Sequence, residues 1–372
     1  MTRRQFAGAT SALAMEPQLV RGSQANSAIR MGIIGCGERG LGDAKIFERD
    51  DRVRFTAICD IREEQMAKFD SEITKKGARR FRDFRELLQS DVDAVLIATP
   101  AYIHPEQVEA AVVAGKHVYC EKPVGVDVAG CRRVLRTAAQ VGPKQCVTVG
   151  FQNRYGPGYL KAEEMILKNT LGPIRMARSN WIASTGIGKR KRTPAPPEQE
   201  KLVNWHVWRQ YSGDILVEQN IHGVDVLNWF LGGVPVKAQG TGGRILRTYG
   251  DSMDHLNVTY TYRNGVRAML AASQFGPNGY RVVNEVFIAT EGVIETTRQS
   301  LAVYRDPKAQ TLEKYDKDIT ESAIEQFVNR MFQGNPENTL ARSAESALTC
   351  ILARMSIDRN REVTWKEMMA EG

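Results

Sequence analysis

No stretch of this chain reaches the roughly 18 uncharged apolar residues that a bilayer-spanning helix needs, so membrane insertion is not expected. None of the six cysteines (Cys36, Cys59, Cys120, Cys131, Cys146 and Cys350) forms a C-x-x-C pair, which argues against a zinc site, and no metal is expected. Three of them sit in or beside apolar strand-like runs, where a reduced thiol behaves as a small buried hydrophobe. No internal repeat stands out. The net charge is +8, but no aromatic-interleaved basic motif accompanies it, so it reads as solvated surface and not as a nucleic-acid footprint. The densest basic run, Lys189-Arg190-Lys191-Arg192, borders Pro194, Pro196 and Pro197 and reads as an exposed loop. What remains is an ordinary globular composition, 42% hydrophobic and 25% charged, over 372 residues, a length that suits two domains.

The first 29 residues stand apart. Thr2-Arg3-Arg4-Gln5-Phe6 precedes the small-residue, mildly apolar run Ala7 to Ala14, an arrangement similar to a twin-arginine export signal. It predicts a periplasmic protein; without export the chain is expected in the cytoplasm. The twin-arginine route carries folded proteins, so reduced cysteines do not oppose this reading.

From residue 30 to about 150 the pattern is strand, helix, strand, with short connections. A strand over Met31–Ile34 runs into Gly35-Cys36-Gly37-Glu38-Arg39-Gly40, a G-x-G-x-x-G turn ahead of a helix. Such a turn lets the chain bend, lets backbone approach a pyrophosphate, and lets helix pack on strand, while the helix N-terminus offers free N–H groups to anions. A second strand ends at Asp60. A carboxylate there accepts hydrogen bonds from ribose hydroxyls and favours NAD over NADP, although Arg62 is placed to hold a 2′-phosphate; Asp60 also reads as a helix N-cap, and the two roles can coexist. Further strands end at Thr99-Pro100, at Glu121-Lys122-Pro123 and before Gln152. The alternation is that of a doubly wound parallel sheet, whose ligands lie beyond the carboxyl ends of the strands. Residues 151–372 read as an α+β unit with a large, mostly antiparallel sheet, including a hairpin turned at Asn264-Gly265.

These residues together resemble the Gfo/Idh/MocA (glucose-fructose oxidoreductase, inositol dehydrogenase, rhizopine catabolism) family. The resemblance is carried by Gly35-x-Gly37-x-x-Gly40, Asp60, Ala98-Thr99-Pro100 with His104, Glu121-Lys122-Pro123, Gly172-Pro173-Ile174 and Glu218-x-x-x-His222-x-x-Asp225, and it runs from Arg30 to about Trp365. It implies an N-terminal Rossmann domain, a C-terminal domain whose open sheet forms a homodimer or homotetramer interface, and NAD(P)-linked redox chemistry on sugars, polyols or their derivatives. Cofactor contacts are expected from Gly35, Gly37, Glu38, Arg39, Gly40, Asp60, Arg62, Thr99, Pro100, His104, Glu121, Lys122 and Gln152.

For the chemistry, Lys122 is expected to stabilise a developing alkoxide and His222 to exchange its proton near neutral pH. Glu218, four residues before His222, is expected on the same face of one helix, where it orients the histidine or holds a substrate hydroxyl. The family usually has aspartate at this position, so the longer side chain departs from its pattern. Arg154, Trp205, His206, Trp208, Arg209 and Asp225 are expected to line the substrate, the tryptophans by stacking on a sugar ring and the arginines by binding hydroxyls or carboxylates; core packing is the competing role for the tryptophans. Three activities fit: a sugar or polyol dehydrogenase; an NAD-dependent glycoside hydrolase that oxidises its sugar transiently; and a non-catalytic NAD or ligand sensor. The intact Glu121-Lys122-Pro123 favours the first. An exported enzyme has no pool of free NAD, which calls for a retained cofactor.

Overall fold

In the computed structural model the residues described are 28–371, apart from 76, 184–191, 278 and 307–310. The export-signal stretch and most of the basic run 189–192 lie outside them. Two sheets organise the chain. The first contains β1 (Ile29–Ile34), β2 (Val53–Cys59), β3 (Arg79–Phe81), β4 (Ala94–Ile97), β5 (His117–Cys120) and β6 (Val147–Val149). Its six strands run parallel in the order β3-β2-β1-β4-β5-β6. The central strands are unbroken apolar runs: all four residues of β4 are buried, as a strand covered on both faces requires. Helices α1 (Glu38–Phe47), α2 (Glu63–Glu72), α3 (Phe84–Gln89), α4 (His104–Val113) and α5 (Val128–Ala138) make the crossovers. The order reverses between β1 and β4, and the strand-end residues named above surround that switch point.

After α6 (Pro157–Leu167), the second sheet takes β7 (Ile174–Ala183), β8 (Lys237–Gly243), β9 (His255–Thr261), β10 (Arg267–Ser273), β11 (Arg281–Ala289), β12 (Val293–Thr297), β13 (Ser300–Tyr304), β14 (Thr311–Lys314) and β15 (Val363–Thr364). The order is β14-β13-β12-β11-β7-β10-β9-β8-β15, antiparallel except for the β7–β10 pair. One face packs on α10 (Ile221–Phe230), which follows the short helices α7 (Glu200–Val203), α8 (Arg209–Ser212) and α9 (Asp214–Glu218), and on α6. The other face alternates outward and keeps Met176, Arg178, Asn257 and Met269 exposed.

The chain then returns to the first sheet. In α11 (Ile319–Gln333), Ile324, Phe327 and Val328 enter the same core as Met31, Phe47 and Tyr119 of the N-terminal unit. Phe327 meets Phe47 and Tyr119 edge-on at 6.1 and 5.5 Å. Burying a side chain of this size contributes about 2 kcal/mol. Next comes α12 (Leu340–Asp358), which packs on α5, and the chain closes with α13 (Trp365–Glu371). The nucleotide-side core is therefore completed by residues almost 300 positions downstream of β1. All six cysteines are buried, unpaired thiols.

Candidate active site

The turn between β1 and α1 has the geometry that an anion cradle requires. Gly35 takes φ +98°, a left-handed conformation, and its N–H donates to Cys59 O at 2.8 Å. A Cβ on Gly40 would lie 2.0 Å from Gly35 O, so only glycine lets α1 pack this closely. Gly37 caps α1 without a side chain, and a Cβ there would meet no atom within 4 Å. The helix begins at Glu38, so the N–H groups of its first turn lie beside Gly37. These features fit a dinucleotide pyrophosphate.

Asp60 stabilises the turn: its Oδ2 accepts the Cys36 N–H at 2.8 Å and its Oδ1 the Arg62 N–H at 2.9 Å. Burial nonetheless pushes its carboxyl above the ordinary value. Asp60 does not cap α2, which starts at Glu63 with Arg62 before it. Arg62 turns its guanidinium to Glu64, with Nε 2.7 Å from Oε1, and so is engaged away from a 2′-phosphate.

Two expected cofactor contacts prove to be bracing groups. His104 is 1% exposed, with Nδ1 2.7 Å from Pro123 O and Nε2 2.9 Å from Thr99 O. It ties the β4 and β5 strand-end loops together, and burial lowers its pKa. Glu121 is also buried and accepts from Arg39 Nη2 at 2.8 Å, while Arg39 Nε lies 3.2 Å from Asp43 Oδ2. Burial beside Glu121 raises the Asp43 carboxyl well above its usual range; the Arg39 cation holds Glu121 low. This cluster clamps α1 to the end of β5, and half-exposed Arg39 is the member that still reaches solvent. The i,i+4 spacing of Arg39 and Asp43 was its only sequence signal. Thr99 Oγ1 donates to Gln107 at 2.6 Å; Thr99 and Pro100 keep part of their surface open at the β4 end. Gln152 is buried, with its amide set between Gly150 O at 3.1 Å and Arg298 Nη2 at 3.0 Å.

Lys122 precedes a cis peptide bond to Pro123. Its ammonium donates to Glu218 O at 2.6 Å and lies 3.7 Å from Glu218 Oε1, with both side chains under a fifth exposed. The expected single helix carrying Glu218 and His222 is broken. α9 stops at Glu218, Gln219 departs to φ −108°, and α10 starts at Ile221. The physical consequence is direct: a helix end leaves carbonyls without intrahelical partners, and Lys122 takes the one at Glu218.

His222 stacks on Trp181, with centroids 6.3 Å apart and planes at 20°, and meets the edge of Phe151 at 6.2 Å. Burial first, then the Lys122 cation, lowers its pKa well below the ordinary value. The imidazole is therefore neutral and does not titrate near pH 7, contrary to the expectation from its ordinary pKa. Its Nδ1 has no protein hydrogen-bond partner among the described residues, and neither has Trp181 Nε1 or either amide atom of buried Asn220. Orphaned buried polar atoms cost about 1–3 kcal/mol each, and such a group beside Lys122 suits a ligand rich in hydroxyls. Trp181 and Asn220 were missed in the sequence; Asn220 lay within the Glu218–His222 motif, whereas Trp181 looked like any strand aromatic.

Two expected substrate contacts are already paired with other residues of the protein. Asp225 is fully buried; Arg154 Nε and Nη2 grip it at 2.8 and 2.9 Å, and Ser346 Oγ donates at 2.8 Å. Its carboxylate is saturated by protein. Arg209 is likewise spent on Asp358, at 2.7 and 2.6 Å, and on Asp214 at 3.0 Å. Trp205 meets buried His206 edge-on at 6.3 Å, and Trp208 supports Tyr249 at 5.7 Å, so this segment forms a wall. No cluster of metal-ligating side chains occurs among the described residues, and no helix among them is long and apolar enough to cross a membrane.

Comparison with known proteins agrees with this geometry. Residues 29–151 match the oxidoreductase family model with an NAD-binding Rossmann fold, and residues 159–295 match the GFO/IDH/MocA C-terminal domain. The chain is 25% identical to the myo-inositol 2-dehydrogenase of Thermotoga maritima over 92% of this chain and 100% of that protein. It superposes on the myo-inositol 2-dehydrogenase of Lactobacillus plantarum with a TM-score of 0.72 at 22% identity, covering 91% of this chain and 99% of that one. The scyllo-inositol dehydrogenase of Lactobacillus casei, solved with NAD(H) and scyllo-inositol, gives 0.72 at 21% identity with the same coverage.

Proposed function

Since this chain belongs to the Gfo/Idh/MocA oxidoreductase family and carries its NAD-binding Rossmann domain, we propose that it oxidises a secondary hydroxyl of a cyclic polyol, sugar or sugar derivative, with Lys122 and His222 acting on that hydroxyl. The observation that carries the reading is the meeting of Lys122 with the α9–α10 break, beside neutral His222. NAD supplies the hydride-accepting centre when bound. Gly35 and Gly37, with Gly40 letting α1 pack closely, would hold its pyrophosphate and Asp60 its ribose, while the turning of Arg62 to Glu64 supports NAD over NADP. The Lys122 ammonium, fixed by Glu218 O, donates to the substrate oxygen and offsets the charge that develops on it. Neutral His222 accepts the hydroxyl proton on a ring nitrogen. Burial, and then the Lys122 cation, disfavours the protonated ring. Glu218, with its carboxylate 3.7 Å from Nζ, sets the position of Lys122; the additional methylene over aspartate extends that reach.

The test is a panel of inositols, sugars, uronates and aryl glycosides, followed by NADH absorbance and aglycone release. NADH is expected, and Lys122→Met and His222→Asn are expected to lower kcat by about 100-fold or more while still binding NAD. Unchanged kcat in either variant refutes the assignment; aglycone release without net NADH moves the reading to hydrolysis. The open outer face of the second sheet supports a homodimer or homotetramer. Arg3-Arg4 supports export with a retained cofactor, which an Arg3→Lys, Arg4→Lys protein should lose.

A further inference from the structure

A guanidinium stands by the α9–α10 break with no carboxylate in salt-bridge contact among the described residues, although Asp254 and Asp214 lie near enough to act on its charge. Arg247 lies in the loop from β8 to β9. That loop is held by Asp254, whose Oδ2 accepts the N–H groups of Ile245, Leu246 and Arg247 at 3.0, 2.8 and 2.8 Å. The loop docks on the tryptophan wall, with Asp251 N and Ser252 N both 3.1 Å from Val207 O. So anchored, the Arg247 side chain turns inward. Its Nη2 donates to Gln274 Oε1, and Gln274 Nε2 donates to Gln219 Oε1 at 2.8 Å. Gln219 is the break residue next to Glu218. Gln274 follows Ala272 by two residues on the same sheet face, and Ala272 pairs with Trp181, on which His222 stacks. The hydrogen bonds therefore lead from Arg247 to Gln219, the residue after Glu218, whose carbonyl holds Lys122.

The acids nearby are already taken. Asp254 is filled by the backbone donors and by His255 Nδ1 at 2.8 Å. Asp214 Oδ1 accepts Ile215 N and Met253 N, Arg209 Nε lies 3.0 Å from its Oδ2, and Asp251 accepts Arg209 N at 2.6 Å. Arg247 has no ion-pair partner among the described residues, and its buried Nε has no hydrogen-bond partner. An inward, partly desolvated guanidinium with an unused donor is a fork for a planar anion. Its neighbour Arg244 is turned to Gly250 O, so this loop offers one guanidinium, a planar fork matched to a carboxylate.

We propose that Arg247 is a specificity-determining group that binds a carboxylate substituent of the substrate, so that the preferred substrate is an acidic sugar or polyol such as a uronate or aldonate. This rests on the dehydrogenase reading above. The holoenzyme is assayed with glucuronate, glucose 6-phosphate and myo-inositol, and glucuronate binding to NAD-loaded protein is measured by calorimetry. Wild type is expected to prefer glucuronate. In Arg247→Gln the ratio of kcat/KM for glucuronate to that for myo-inositol should fall about 30-fold, with glucuronate binding weakened to match; Arg247→Lys should keep part of the ratio. An unchanged ratio in a folded Arg247→Gln protein, or a wild-type preference for the phosphate or the neutral polyol, overturns the proposal. If no substrate yields NADH yet glucuronate binding still depends on Arg247, the dehydrogenase reading fails and the carboxylate site stands.

Discussion

Glu285→Gln should stabilise this protein at alkaline pH and do far less in mild acid. Glu285 is 3% exposed and lies on β11 beneath α10, directly under Gly223, whose Cβ would come within 2.0 Å of Ser179 Oγ and 3.3 Å of Glu285 Oε1. The helix is thus seated on the sheet next to His222, with no room for water to solvate the carboxyl. Tyr159 and Thr296 donate to Oε2 at 3.0 and 3.2 Å, yet burial outweighs them and pushes the pKa from 4.5 up to about 7. The sign follows from proton counting. Between pH 4.5 and 7 the folded chain keeps a proton that the unfolded chain has released, so folding loses stability as pH rises through this window, and the loss levels off above about 7. At about 1.4 kcal/mol per pH unit the full penalty is about 3 kcal/mol, of which about 2.5 falls between pH 5 and pH 8. Glutamine keeps an acceptor for the two hydroxyls and carries no charge. Urea unfolding of wild type and Glu285→Gln at the two pH values measures the change. Whatever fixed cost the amide brings, the variant's stability relative to wild type should improve by about 2.5 kcal/mol from pH 5 to pH 8. Histidine contributions cancel, because both proteins share them. An equal difference at both pH values would refute the reasoning.

Asp225→Ala should destabilise the fold by about 3–5 kcal/mol, because it strands the Arg154 guanidinium in the interior; a denaturation loss under about 1 kcal/mol would contradict the internal role assigned to this pair. Gly40→Ala places a methyl group 2.0 Å from Gly35 O and must open the cradle. It should weaken NAD binding at least about tenfold by calorimetry, about 1.4 kcal/mol, and wild-type affinity would count against the loop assignment. His104, His117 and His222 all have pKa values lowered by burial, so below about pH 6.5 the unfolded chain takes up protons that the folded chain refuses. The histidine contribution to stability is therefore complete above that pH and declines as pH falls. His104→Asn should remove up to about 1.4 kcal/mol per pH unit from the slope between pH 6.5 and 5, and an unaltered slope would show that His104 is not held neutral.

The parallel nucleotide sheet was legible in the residues alone, because buried parallel strands are written as contiguous apolar runs and a dinucleotide turn as spaced glycines. The sequence also contained the lysine, the glutamate and the histidine, since chemistry at a strand end needs particular residue types at particular offsets. Edge strand β3 escaped notice, because Arg79-Arg80-Phe81 is polar in the way an exposed edge must be. How distant residues use one another emerged only on folding. Asp225 and Arg209 looked like substrate contacts and were paired inside the protein; α11 joined a core begun almost 300 residues earlier. The helix meant to hold Glu218 and His222 together broke between them, and the carbonyl released at that break met Lys122 across 96 residues. Local pattern reports burial and turn chemistry, but which charge is neutralised and which remains for a ligand depends on neighbours that only folding assembles.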